Sequence, residues 1–456
     1  MTCSCCLTST GLRRAAAAAL WLLLPASLYG QDTEVYRLSL GDAARLAGQR
    51  GTSVLEARAR ADGAEARARQ TTADLLPSLD ADIATGGRTF NTASFGLDFP
   101  TPAGQAPFFN PNGEVVGPVN SADIRASAEV PLLDLAALGR RRSARASAEA
   151  ARLAERSAAS GAASAAARAY VATLRGRAEV SAREADLDLA EELLEVARGL
   201  LDAGVAVAID LTRAESQVAT IRLQLLAARH RADVSELALR RSLRIPLDAE
   251  LELTDALEAL PVGDVPDEEE AVVRALASRS DLDMAEGYRV AAEQTLSATQ
   301  AGRWPRVVAR VDDGLYGKRF GNMLNTYTWS LRLSLPLFDG FGRSGRLAEQ
   351  RARTRELDYQ IEALLEDIGF QVRQAVLNLS AAQEQAAAAG ERQRLAQLEV
   401  DQEEERVRAG VAGTGDVVRA AMRLNEARTA RLDALAAVHA SRVTLAEVTG
   451  AIGELP

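Results

Sequence analysis

Apolar and polar residues alternate strictly in two well-separated stretches of this chain. Ile124, Ala126, Ala128 and Val130 take turns with Asp123, Arg125, Ser127 and Glu129. Tyr327, Trp329, Leu331, Leu333 and Leu335 take turns with Thr326, Thr328, Ser330, Arg332 and Ser334. A period of two places successive side chains on opposite faces of a strand, so each stretch predicts a β-strand with one apolar and one polar face. A weaker alternation precedes each: Leu79, Ala81 and Ile83 in the first region, Val307, Ala309 and Val311 in the second. Before those runs stand Leu75-Leu76-Pro77 and Arg303-Trp304-Pro305, where proline disfavours helix in the residue ahead of it. The predicted strands therefore cover about 79–86, 122–131, 306–315 and 326–336.

Elsewhere the period lengthens to that of a helix. No proline interrupts Arg140 to Asp202, which at 1.5 Å per residue allows a helix of roughly 90 Å. Leu187, Ala190, Leu194, Ala197 and Leu201 step by three and four, as do Leu211, Ala214, Val218, Ile221, Leu225 and Ala228 after a glycine-centred turn. Ile361, Leu365, Ile368, Val372, Ala375, Leu379 and Ala382 continue the spacing later in the chain. Such seams, filled partly by alanine, predict coiled-coil packing at short range. Long helical hairpins are expected over about 138–245 and 342–450.

The two regions are copies. Val130-Pro131-Leu132-Leu133-Asp134 answers Leu335-Pro336-Leu337-Phe338-Asp339-Gly340, the prolines standing at an interval of 205 residues. Gly204 with Asp210 answers Gly410 with Asp416, both at an interval of 206 residues. The predicted organisation is a first repeat over 31–250, an acidic linker over 251–270 and a second repeat over 271–456. Each repeat reads lead-in helix, two strands, long helix, turn and returning helix. The fold class is mostly α, with strands that suit a membrane β-barrel.

Composition narrows the reading. Aromatic residues make up only 4% of the chain, too few for ordinary bulky cores. Of nine phenylalanines, Phe90, Phe95, Phe99, Phe108 and Phe109 fall between the first two strands. Phe320, Phe338 and Phe341 flank the second pair. Rings clustered at strand ends fit an aromatic girdle at a membrane boundary; a loop-packing cluster is the plainer alternative. Net charge is −10 and no basic patch is interleaved with aromatics, so nucleic acid is not an expected partner. Arg13 and Arg14 before the apolar run Ala15 to Leu24 predict a signal peptide over 1–30, which carries Cys3, Cys5 and Cys6 with it. No later run approaches ~18 apolar residues, so membrane entry has to be by strands. A single such hairpin also fits a soluble sheet with one wet face, but two equivalent hairpins in an exported helical chain favour a barrel.

Chemistry finds no foothold. His230 and His439 have no second metal ligand at a useful spacing, and no nucleophile elbow or phosphate loop is present. Asp339-Gly340-Phe341-Gly342 reads as a strand-to-helix elbow, and the carboxylates alternating with arginine along the helices read as a solvated face. No cofactor, metal or enzymatic activity is expected. The turns carry more. Gly204 and Gly410 are each followed by an Asp–Arg pair, Asp210/Arg213 and Asp416/Arg419. Glycine suits the left-handed end of a helix and aspartate the N-cap or first turn of the next. The same residues can also form charge pairs at the narrow end of a tube.

With these residues in view, the chain resembles the TolC-like outer-membrane efflux family. The resemblance rests on Leu75-Leu76-Pro77-Ser78-Leu79, Pro336 to Gly340, Arg279-Ser280-Asp281-Leu282 with Ala285-Glu286, and Gly410 followed by Asp416. It implies a homotrimer in which four strands per subunit close one twelve-stranded barrel, with Tyr327, Trp329, Leu331 and Leu333 facing outer-membrane lipid. It further implies a periplasmic helical tunnel working with a periplasmic adaptor and an inner-membrane pump. Asp416 matches one member of the family's tip aspartate ring, whereas the second expected aspartate is Arg419 here. The implied function is a passive exit duct for small molecules. The alternatives are a type I protein secretion duct and a periplasmic coiled-coil adaptor or scaffold that never inserts.

Overall fold

The computed structural model describes residues 35–95, 104, 113–204, 207–409, 411 and 413–456. The expected signal peptide, Phe99, Phe108, Phe109 and Gly410 lie outside the described residues. In chain order the elements are β1 (Tyr36–Leu38), α1 (Leu40–Arg50), α2 (Thr52–Ala73), β2 (Ser78–Asn91), β3 (Val115–Asp134), α3 (Leu135–Asp202) and α4 (Ala208–Leu243). There follow β4 (Leu251–Leu253), α5 (Glu268–Ser278), α6 (Ser280–Ala301), β5 (Arg306–Arg319), β6 (Asn322–Ser334), α7 (Gly342–Arg408) and α8 (Thr414–Val448). No helix among the described residues is long and apolar enough to cross a membrane.

The two long helices organise the molecule. α3 has 68 residues and α7 has 67, so each extends roughly 100 Å at 1.5 Å per residue. Their first halves pack beside the lead-in helices, α3 against α2 and α6, α7 against α5 and α6. Their second halves pack beside the returning helices α4 and α8. The seam read from period is a buried layer: Ala190, Leu194 and Ala197 of α3 meet Ala214, Val218 and Ile221 of α4. Alanine at half of these positions lets the backbones approach closely.

Where the halves meet, the chain gathers its largest apolar cluster, including Leu40, Ala44, Tyr170, Leu174, Leu239 and Leu243. Part of the stretch expected to be only a linker joins it. Leu251, Leu257 and Leu260 are buried, and β4 pairs in parallel with β1. The Tyr170 hydroxyl lies 2.9 Å from both the Leu38 carbonyl and Asp255 Oδ2. The Leu40 N–H donates to the same carboxylate at 2.8 Å. These bonds tie the N-terminal strand, the linker and α3 into one belt. The second lead-in helix, expected to be continuous, is divided at Arg279, whose extended backbone (φ −74°, ψ 119°) separates α5 from α6.

The four long strands form one antiparallel sheet in the order β2-β3-β5-β6. They outrun most of the lengths expected from alternation, because pairing continues through residues where the apolar-polar period has already lapsed. β2 and β6 are edges, with no partner on their outer sides among the described residues.

Candidate functional site: two faces of a sheet and a helical tip

Register sorts the sheet into two surfaces. Across the strands, Leu79, Ala128, Val311 and Trp329 form one row, and Val130, Ala309 and Leu331 the next. Val307 and Leu333 continue this apolar face, which also carries Tyr327 opposite Asp313. The other face has rows of Ser78, Glu129, Arg310 and Ser330, then Asp80, Ser127, Asp312 and Thr328. Tyr327, Trp329, Leu331 and Leu333 are all exposed in the single chain. A sheet with four large exposed side chains in a row on an edge strand is not a finished surface in water.

At the opposite end the helices turn. α3 closes on Ala203, and Gly204 follows at φ +72°, a left-handed conformation natural to glycine. The corresponding end of α7 closes with the Val411 N–H donating to the Arg406 carbonyl at 3.0 Å, a six-to-one bond that satisfies a terminal carbonyl. Asp210 and Asp416 both occupy the third position of the returning helices. They are therefore first-turn residues rather than N-caps, which are Val207 and Gly413 and lack a side-chain bond. A carboxylate there still complements the helix dipole, by about 0.3–1 kcal/mol. Its direct partner is the arginine one turn on: Arg213 Nη1 lies 3.2 Å from Asp210 Oδ1, and Arg419 pairs with Asp416.

The structure also brings the two turns together. A Cβ placed on Gly415 would stand 3.6 Å from both Asp210 Oδ1 and Arg213 Nη1, and 3.9 Å from Arg419 Nη1. Charges from both repeats thus crowd around one glycine inside a single chain. Beneath them Leu193 of α3 packs with Val417 and Val418 of α8.

Further from the tip lies a polar layer that sequence reasoning assigned to solvent. Glu179, Arg183 and Asp186 are buried, because α8 covers the side of α3 that α4 leaves open. Arg183 bonds Asp186 (3.2 Å), Thr429 (2.7 Å) and Asn425, while Arg428 reaches Asp186 at 2.7 Å. Glu179 is held by Arg175 at 3.0 Å and Arg231 at 2.6 Å. A buried carboxylate with paired guanidinium partners is tolerable, and one without them is not. The only available signal was Asn425 and Thr429, spaced by four on α8, and it has meaning only once α8 is known to face α3.

Neither histidine enters a charged site. His230 is exposed, and buried His439 places Nε2 3.0 Å from the Leu257 carbonyl. Among the described residues no three histidine, cysteine or acidic side chains group as a metal site.

A family profile described as outer membrane efflux protein matches residues 43–243 and 271–451, the two repeats. The chain belongs to that family. As an outer membrane efflux protein it resides in the outer membrane, its family being one of ducts rather than of enzymes. Its fold is that of several solved channels. The outer membrane protein VceC from Vibrio cholerae superposes with a TM-score of 0.72 at 18% identity, over 90% of this chain and 96% of that one. The open-state MtrE channel of Neisseria gonorrhoeae gives 0.74 at 18%, over 91% and 88%, and CusC gives 0.75 at 15%, over 90% and 92%. None of the curated proteins matches the chain closely enough to count as a relative.

Proposed function

We propose that three copies of this efflux protein close a twelve-stranded barrel and a helical tunnel. This duct passively conducts small molecules from a periplasmic adaptor and an inner-membrane pump to the outside, and performs no catalysis itself. The observation that carries the reading is a two-faced sheet whose two edges have no partner among the described residues. Backbone donors and acceptors on an open edge cannot remain unpaired in lipid, so the edges must meet. β2 and β6 run in opposite directions because three antiparallel pairings separate them. β6 of one copy can therefore add to β2 of the next and keep the whole ring antiparallel. Such a head-to-tail contact closes into a ring; the number three rests on the family resemblance. The apolar face then meets lipid and the polar face lines the lumen. The pairs Asp210/Arg213 and Asp416/Arg419 gather at the narrow periplasmic end, where repetition around the axis makes them closing contacts.

Purified outer membranes, solubilised in mild detergent and run unheated and heated on denaturing gels, test this reading. A heat-modifiable trimer that conducts in planar bilayers supports it. Monomer recovered only from the periplasmic extract would instead establish the scaffold.

A further inference from the structure

The polar face of the sheet is unevenly charged. Toward its α3 and α7 end, Arg306, Arg310 and Arg332 surround a cavity of about 220 Å³, completed by Glu129, Val308, Ser330 and Ser334. Strand register explains the convergence: Arg306 stands across from Ser334, Val308 from Arg332, and Arg310 from Ser330, all on one face. Toward the other end the same face carries Asp80, Asp82 and Asp123, with Arg125 among them and Arg88 further on.

The arginines at the cavity are held differently. Arg306 lies 3.3 Å from Asp134, and Arg310 lies 3.0 Å from Asp312. Those two carboxylate side chains are only 7% and 13% exposed, whereas their arginines are 52% and 48% exposed. The negative charge is tucked against the sheet and the guanidinium groups face outward. Glu129 lies at the outer limit of pairing, 3.8 Å from Arg306 and 4.0 Å from Arg310. Arg332 is exposed and, among the described residues, has no carboxylate within pairing distance.

We infer that this cavity is a recognition site for anionic solutes bearing carboxylate or phosphate groups. Arg332 supplies the uncommitted planar fork, and Ser330 and Ser334 add hydroxyl donors. A guanidinium fork matches carboxylate and phosphate oxygens two at a time, which a point charge does not. Its place on the lumen side rests on the proposed duct. Repeated around the axis, the sites make an arginine-lined belt at the tunnel end of the barrel, through which each solute passes after the helical tunnel.

The test is single-channel recording of the full protein in planar bilayers, with citrate as the anionic probe and spermine as its cationic counterpart. Citrate should block the wild-type current. Arg332→Gln should raise its half-blocking concentration by roughly threefold to tenfold, the scale of losing one charged partner from a wet site. Arg332→Lys should fall between the two, and spermine should not lose potency in either. Wild-type citrate block that Arg332→Gln leaves unchanged overturns the site. Arg332→Cys, treated with a sulfonate-bearing thiol reagent, separates this failure from failure of the duct reading. Altered conductance in this variant places position 332 in the lumen whatever citrate does. Unaltered conductance in an assembled, labelled channel overturns both the lumen assignment and the site that depends on it.

Discussion

Leu331→Arg tests the assignment of the sheet's two faces most directly. The apolar positions of β6 and its continuation run from Tyr327 to Leu335, with Leu331 at the centre. The eight steps from Tyr327 to Leu335, at ~3.4 Å each, span roughly 27 Å of strand and, at a tilt of about 40°, roughly 21 Å of height. That is close to the ~25 Å apolar band of an outer-membrane barrel. Leu331 has Ala309 and then Val130 as its neighbours across the sheet, so an arginine there finds no acceptor in its own row. A charge at mid-bilayer on the lipid face costs ~2–4 kcal/mol per copy. The control is Thr328→Arg, which stands across from Asp312 on the polar face and should change stability by less than about 1 kcal/mol. Both variants are folded into lipid bilayers, and the assembled fraction is read from unheated gels across a guanidinium series. Equal losses in the two variants, or a larger loss in Thr328→Arg, would refute the face assignment.

Replacing Asp416 and Arg419 together by alanine should raise single-channel conductance and leave oligomer stability nearly unchanged, since exposed pairs contribute only ~0–1 kcal/mol; the same change at Asp210 and Arg213 should act alike, because Asp210 and Arg213 stand with Arg419 around Gly415. Unchanged conductance with a lowered thermal midpoint would reduce these residues to local helix-end stabilisers. Asp186→Ala strands Arg183 and Arg428 in the buried layer and should cost about 3–5 kcal/mol of stability, measured by chemical unfolding; a loss below about 1 kcal/mol would mean that water reaches the layer. Burial holds the His439 imidazole below its ordinary range, with the Leu257 carbonyl favouring protonation and Arg442 opposing it. The unfolded chain then takes up a proton before the folded chain does, so this stability is complete above about pH 6.5 and declines as pH falls, at up to ~1.4 kcal/mol per pH unit. His439→Gln should therefore flatten the fall in thermal midpoint between pH 7 and pH 5, and an unflattened curve would assign that fall to other groups.

What could be read from the sequence was what a short window determines. Alternation at Tyr327 to Ser334 and the three-four stepping at Leu187 to Leu201 are properties of one strand and one helix, visible without knowing any neighbour. β1 and β4 were invisible because three residues carry no period, and their pairing joins positions 215 residues apart, such as Tyr36 and Leu251. Glu179, Arg183 and Asp186 have the spacing of a solvated helix face. The approach of α8 puts Arg183 and Asp186 inside, with Asn425 and Thr429 as partners of Arg183, while Arg231 of α4 holds Glu179. At the tip the sequence offered aspartate as cap or first-turn residue. The choice depended on where α4 and α8 begin, the least legible property of any helix.

The duplicated elbow shows how far a repeated motif constrains its own geometry. Pro131 to Asp134 and Pro336 to Asp339 align, yet α3 begins at Leu135 and α7 at Gly342, an interval of 207 residues where the prolines differ by 205. In the first copy the strand slips register between Pro131 and Leu133, and Asp134 caps α3 directly, accepting from the Ala137 N–H at 2.7 Å. In the second, two extra residues, Gly340 and Phe341, intervene in left-handed conformations at φ +66° and +67°. Asp339 reaches across them to accept from the Arg343 N–H at 2.8 Å. Such a φ costs a phenylalanine on the order of 1–3 kcal/mol. It delays helix formation by two residues, while the far end of α7 keeps the interval of 206 that separates Asp202 from Arg408. The one-residue difference in helix length is therefore set at the sheet end, and the two turns arrive at the tip level enough for Gly415 to lie against Asp210.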